Sequence, residues 1–319
     1  MNTLTMLMPA AAFAVTVGAM IAFGTRKDPR AMSAAQSSLS ALGEMTFPPL
    51  QNVIARDGTP LAYRAYPVND AKNIAVLIHG SASDSRAMHC VAESLCQRGI
   101  CTYAIDVRGH GSSGRHGDID YIGQLEDDLA DVIQELTQLH ADARVTVVGH
   151  SMGGGLALRF AGSRYGKMVD SYIVAAPFIH HSVSVTRKDA GGWAAPYLPR
   201  IIGLTILQYV GIRAFQHLTC IAFALPELGV GLVSKYSFRL LNNFRPHMNW
   251  KGDIKRIDRP VSVIVGAKDE MFVAEEYAPL LEPLNPQIHT QVLPGLGHFG
   301  MYVDKTATEA IGNAILKVT

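Results

Sequence analysis

The sequence predicts an α/β fold, a mostly parallel, doubly wound sheet with helices on both faces. Three observations predict it. Short continuous apolar runs, such as residues 74–78 and 145–148, read as strands buried on both faces. Between such runs, apolar residues recur at helical spacing. The two patterns alternate along the chain, which is the order that sandwiches a parallel sheet between helical layers.

Composition agrees with a large packed core. Of 319 residues, 48% are apolar and 17% charged. Lys and Arg number 28 against 27 Asp and Glu, a net charge of +1, so no basic footprint points to nucleic acid. Four cysteines, at 90, 96, 101 and 220, form no C-x-x-C pair, and no zinc site is predicted. Cys101 sits in an apolar run and reads as a small buried hydrophobe.

The first 25 residues differ from the rest. Residues 4–23 carry no charge and are just long enough to span a bilayer as a helix. The run is rich in Ala, Gly and Thr, and Pro9 falls inside it. Arg26, Lys27 and Arg30 follow it, and no basic residue precedes it. That bias predicts a single-pass N-terminal membrane anchor with the following domain cytoplasmic. The alternative is export by a cleaved signal. Residues 26–49 read as a linker, and residues 50–319 as one folded domain.

The elements of that domain follow in order. Asp57-Gly58 between residues 52–56 and 61–66 signals a hairpin. Residues 74–78 are a strand, and Asp84 or Ser85 can cap a helix reaching about residue 97. Residues 102–107 are a strand. Ile122, Leu125, Leu129, Val132, Ile133 and Leu136 trace a helical apolar stripe, with Glu126, Asp127, Asp128 and Asp131 between them. Residues 145–148 form a strand followed by a glycine-rich helix, and 172–176 form another strand. Later come a strand at 261–265, a helix at 273–281, a strand at 288–293 and a helix at 307–316. Between about 178 and 258 the alternation fails. This stretch, apolar at 201–210 and 218–225, predicts a mostly helical cap above the sheet. The competing reading is another helical layer of the core.

The chemistry centres on "VTVVGHSMGGG" at residues 145–155. Gly149-x-Ser151-x-Gly153 follows a strand and opens a helix. Ser151 on so sharp a turn projects its hydroxyl above the sheet, and small residues two positions to either side avoid backbone clashes. The helix that starts there aims its first amides at the site, favouring developing negative charge. A serine hydroxyl is a weak nucleophile, so a base and an orienting acid are required. Asp269 stands just past the strand at 261–265, where sites of such sheets form. His298 lies in the glycine-rich loop after the last strand. Glu270 is the alternative acid and His289 the alternative base. Glu270 is Asp269's immediate neighbour, and His289 lies inside a strand, so both rank below.

Two backbone amides should form an oxyanion hole. One is Met152, directly after Ser151; the other is Ser81, in the loop "HGSASDS" after His79 and Gly80. His150 reads as a packing or hydrogen-bonding residue beside the serine. The charges of Asp106 and Arg108, in "DVRGHGSSG", read as braces for the loops. His180 and His181 have no acidic or cysteine partner at metal-binding spacing, and no metal is predicted.

The segments "HGSAS", "DVRGHGSS", "GHSMGG", "GAKDE" and "GLGHFG", in this order over residues 50–319, carry a family resemblance. The chain resembles an α/β-hydrolase of the serine aminopeptidase-like group that includes monoacylglycerol lipases and lysophospholipases. The Ser-Asp-His chain order is that of the hydrolases with a nucleophile elbow. The resemblance implies ester or thioester hydrolysis through an acyl-enzyme, with no cofactor. Two departures stand out. Ala82 occupies a position where many relatives have a second glycine, and the insertion shows no cap motif that aligns. A lipid-like acyl ester is the expected substrate, with the membrane met through the N-terminal segment. An aminopeptidase would need a cap carboxylate for the substrate amine, from Asp189, Glu227 or Asp253. An acyltransferase would use the same triad with another acceptor. The alternative from another class is a non-catalytic binding protein on this scaffold.

Overall fold

The predicted apolar runs sit at the centre of one sheet, where every side chain they carry is removed from water. The computed structural model describes residues 3–33, 43, 45–225 and 232–317. Strands β1 (Leu50–Ile54), β2 (Pro60–Tyr66), β3 (Asn73–Ile78), β4 (Ile100–Ile105), β5 (Arg144–His150) and β6 (Ser171–Ala175) come first. The inserted segment holds β7 (Ala194–Pro196), β8 (Thr219–Phe223) and β9 (Lys235–Ser237), and β10 (Val261–Gly266) and β11 (Ile288–Leu293) follow it. The main sheet runs in the order β1-β2-β4-β3-β5-β6-β10-β11. It is parallel from β4 to β11, and β2 pairs antiparallel with both β1 and β4. The β1–β2 hairpin turns at Gly58, whose φ of +83° suits glycine.

The helices are α1 (Thr3–Phe23), α2 (His89–Cys96), α3 (Gln124–Leu139), α4 (Met152–Ala161), α5 (Leu198–Tyr209), α6 (Phe238–Asn243), α7 (Trp250–Arg256), α8 (Tyr277–Leu281) and α9 (Lys305–Lys317). Asp84 caps the 3₁₀ turn that leads into α2, accepting the Arg86 amide. The α3 stripe is buried as its spacing predicts, but Glu126 and Asp128 are buried beside it. Each has an arginine partner: Arg159 Nε lies 2.5 Å from Glu126, and Arg108 grips Asp128 with two bonds of 2.7 Å. Burial of a carboxylate requires such a partner. Even so, burial pushes Asp128 up to about 6 against the pull of Arg108.

The insertion holds helices α5, α6 and α7, with strands beside them. Its apolar stretch at 218–225 contains β8, the centre of a small antiparallel sheet with β7 and β9 on either side. Thr219, Cys220, Ile221 and Phe223 are strand formers, and two flanking segments satisfy their backbone. Part of the predicted insertion, residues 226–231, lies outside the described residues, as do residues 34–42 and 44 of the predicted linker.

The N-terminal expectation requires correction. Among the described residues no helix is long and apolar enough to cross a membrane, which overturns the single-pass anchor and the membrane contact assigned to it. The end of α1 instead packs on α5. Val17 and Ile21 are buried, at about 1.5–3 kcal/mol for each such side chain. Gly203 of α5 permits the close crossing, since a Cβ there would lie 2.8 Å from Ile21 Cγ1. Arg200 Nε donates to the Ile21 carbonyl at 2.7 Å, satisfying an orphan acceptor at the helix end. Beyond the helix, Asp28 pairs with Lys235 at 2.8 Å and Met32 N–H bonds to Ala224 O, so this stretch lies along the insertion.

Candidate active site

The turn between β5 and α4 is made by Ser151 alone, with φ 55° and ψ −119°. Such a conformation costs a residue with a side chain about 1–3 kcal/mol. Three backbone bonds hold it: Ser151 N–H to Ala175 O at 2.9 Å, and the amides of Gly155 and Phe178 to Ser151 O at 3.0 and 2.9 Å. The flanking glycines are steric necessities. A Cβ at Gly149 would lie 2.3 Å from Gly153 O, and one at Gly153 would lie 2.3 Å from His79 O. Gly154 and Gly155 allow close packing against Pro177 and Phe178.

Asp269 and His298 come from the carboxyl ends of β10 and β11, adjacent parallel strands. Asp269 Oδ1 accepts the amides of Met271 and Phe272, both at 2.8 Å, which leaves Oδ2 for His298 Nδ1 at 2.8 Å. Both side chains are buried. The rings of Phe272 and Phe299 lie 5.1 and 5.5 Å from the His298 ring and wall it in. Glu270, the alternative acid, binds the His298 backbone amide at 2.6 Å and not the ring. His289, the alternative base, is exposed on β11.

His150 is packed against His298, ring centres 4.7 Å apart, with Nε2 3.2 Å from the His298 carbonyl. Burial, then the neighbouring His298, pushes its pKa well below the ordinary value, so it is a neutral brace. Asp106 and Arg108 brace loops, as their sequence context predicts. Asp106 accepts the amides of Ser85 and Ser112, and Arg108 ties Asp128 to Asp57. His79 Nε2 accepts the Val107 amide at 3.1 Å. His180 and His181 stack on each other, ring centres 4.1 Å apart.

Ser151 and His298 line one pocket, which Gly80 and Ser81 also line. Gly80 lies so close that a Cβ there would be 3.2 Å from Ser151 Cβ. Among the described residues, neither the Ser81 nor the Met152 amide has a protein acceptor. The remaining walls are mainly apolar: Trp193, Leu225, Leu232, Met271 and Phe299. Trp193, Leu225 and Leu232 come from the insertion and carry no sequence motif, so sequence reasoning did not single them out.

Comparison with known proteins agrees with this architecture. A family model described as "Serine aminopeptidase, S33" matches residues 69–214. A monoacylglycerol lipase of Mycolicibacterium smegmatis is 25% identical over 249 residues, covering 76% of this chain and 86% of that protein. The crystal structure of a soluble variant of monoglyceride lipase from Saccharomyces cerevisiae, in complex with a substrate analog, superposes with a TM-score of 0.66 at 19% identity. That match covers 86% of this chain and 97% of the other. The chain has the α/β-hydrolase fold. Its similarity to the serine aminopeptidase model and to monoacylglycerol lipases points to a serine hydrolase acting on esters. A monoacylglycerol lipase structure from Paleococcus ferrophilus shares the fold, with a TM-score of 0.63 at 19% identity over 81% of the hydrolase and 99% of that chain.

Proposed function

We propose that this hydrolase cleaves acyl esters with an apolar chain, of the monoacylglycerol or lysophospholipid kind, through a Ser151-His298-Asp269 triad and an acyl-enzyme. One observation carries the reading: a strained Ser151 elbow shares a cavity with His298, whose Nδ1 is held by Asp269 at 2.8 Å. His298 Nε2 takes the Ser151 proton as the hydroxyl oxygen attacks the ester carbonyl. Asp269 fixes the imidazole's tautomer and stabilises its cation. The amides of Ser81 and Met152 donate to the developing oxyanion. The histidine then protonates the leaving alkoxide, and water repeats the sequence on the acyl-enzyme. Apolar walls favour an acyl chain, and relatives named for monoacylglycerol hydrolysis point the same way.

The aminopeptidase reading loses ground in the insertion. Asp189 pairs with Arg26 at 3.4 Å, and Asp253 is buried between His247 and Arg256. Glu227 lies outside the described residues. The test is covalent labelling by a fluorophosphonate, absent in Ser151→Ala, with turnover measured on p-nitrophenyl esters, monoacylglycerols, lysophospholipids and aminoacyl amides. Ester turnover by Ser151→Ala at the wild-type rate would refute the assignment.

A further inference from the structure

We propose that Tyr236, on strand β9 of the insertion, is a positioning residue that holds the oxyanion loop in its working shape. The proposal rests on the esterase reading above and adds a dependence of its transition state on the cap.

Ala82 directly follows the proposed oxyanion donor Ser81. It is fully buried, with φ +66°, a region that costs an alanine about 1–2 kcal/mol. Glycine would relax there without cost, and with alanine the loop needs an external hold. The insertion supplies it on both sides of the residue. The Ala82 N–H donates to the Tyr236 hydroxyl at 2.5 Å, and its carbonyl accepts the Val233 N–H at 3.0 Å. Trp193 Nε1–H donates to Ser81 Oγ at 2.8 Å. Two consecutive loop residues are thus tied to three residues of the insertion, each more than 100 positions away in the chain.

The Tyr236 hydroxyl is itself fixed. Having accepted the Ala82 amide, it lies 2.5 Å from His110 Nε2, within hydrogen-bond reach of that ring nitrogen. His110 is fully buried, and that burial holds its pKa well below the ordinary value. The tyrosine ring packs edge-on against His110 and Phe223, with centroids 5.0 and 4.6 Å away. Its hydroxyl can therefore be removed with this packing intact. An oxyanion donor works only when already aimed, because misalignment is felt in the transition state more than in substrate binding.

The experiment compares wild type, Tyr236→Phe and Ser151→Ala on p-nitrophenyl butyrate, with a trifluoromethyl ketone as transition-state mimic. Tyr236→Phe should lower kcat by about 10- to 100-fold, less than the roughly 10²- to 10³-fold that removing an oxyanion donor outright costs. KM should stay within about twofold, and the ketone's inhibition constant should rise by the factor lost in kcat/KM. A merely structural role would lower the melting temperature without that parallel. If Ser151→Ala is inactive while Tyr236→Phe keeps wild-type kcat and ketone affinity, this proposal alone is overturned. If Ser151→Ala retains turnover, the esterase reading falls and this proposal with it. Should Tyr236→Phe be recovered unfolded, Ser81→Ala removes the Trp193 contact and leaves the backbone donor in place. It should show the same parallel loss, about 3- to 10-fold, and wild-type values for both quantities would overturn the clamp.

Discussion

The carboxylate of Glu270 accepts the backbone N–H of His298 at 2.6 Å. The neighbouring carboxylate, Asp269, meanwhile accepts the ring nitrogen of the same histidine. Consecutive acidic residues therefore grip one histidine at two points. The loop closes over Glu270 because Gly297 has no side chain; a Cβ there would lie 2.6 Å from Glu270 Oε1. Removing an acceptor from a charge-assisted bond costs about 1.5–3 kcal/mol. Glu270→Ala should therefore lower kcat on p-nitrophenyl butyrate by about tenfold or more, with Glu270→Gln recovering most of it. Equal kcat for wild type and Glu270→Ala would show that the histidine loop holds itself.

Asp269→Asn keeps an acceptor for the Met271 and Phe272 amides but turns a donor toward His298 Nδ1. The imidazole then carries its proton on the wrong nitrogen. The expected loss in kcat is about 10⁴-fold, with little change in melting temperature. Steady-state kinetics with thermal unfolding of the same preparation checks both. A loss under tenfold would move the orienting role elsewhere.

The elbow glycines admit no side chain. Gly149→Ala and Gly153→Ala each place a Cβ within 2.3 Å of backbone oxygen, which side-chain rotation cannot relieve. Each should destabilise the fold by about 1–3 kcal/mol or more. At Gly300 the nearest atom to a Cβ is 3.9 Å away, so Gly300→Ala should leave the urea midpoint close to wild type. Similar midpoints for Gly153→Ala and Gly300→Ala would contradict the close approach.

Burial, and then the neighbouring His181, lower the His180 pKa from 6.5 to about 4. The folded state holds His180 neutral while the unfolded chain protonates it. Its contribution is therefore fully present above pH 6.5 and is lost as pH falls from 6.5 through about 4. Asp128, raised by burial, tilts the opposite way and cancels when wild type and His180→Asn are compared. The wild-type urea midpoint should fall more steeply with acid than that of His180→Asn, by up to about one bound proton. Parallel curves from pH 7 to 4.5 would contradict the shift.

Much of the framework was legible in the sequence because it is local. A strand buried on both faces must be a continuous apolar run, and a turn that admits only glycine two residues to either side of a serine must be written G-x-S-x-G. Strand ends place Asp269 and His298 at one edge of the sheet, since adjacent parallel strands finish together. The sequence by itself therefore determined the alternation of elements, the elbow and the residue types able to meet there.

Tertiary structure decided what depends on distant partners. The N-terminal run reads as an anchor until Val17 and Ile21 are seen buried on α5. Residues 218–225 look helical until β7 and β9 supply their hydrogen bonds. Glu126 and Asp128 look like a solvated helix face until Arg159 and Arg108 neutralise them in the interior. Ala82 looks like a missing glycine until Tyr236 and Val233 grip its amide and carbonyl. In each case the deciding free energy comes from a group far away in the chain, brought close only by the packed fold.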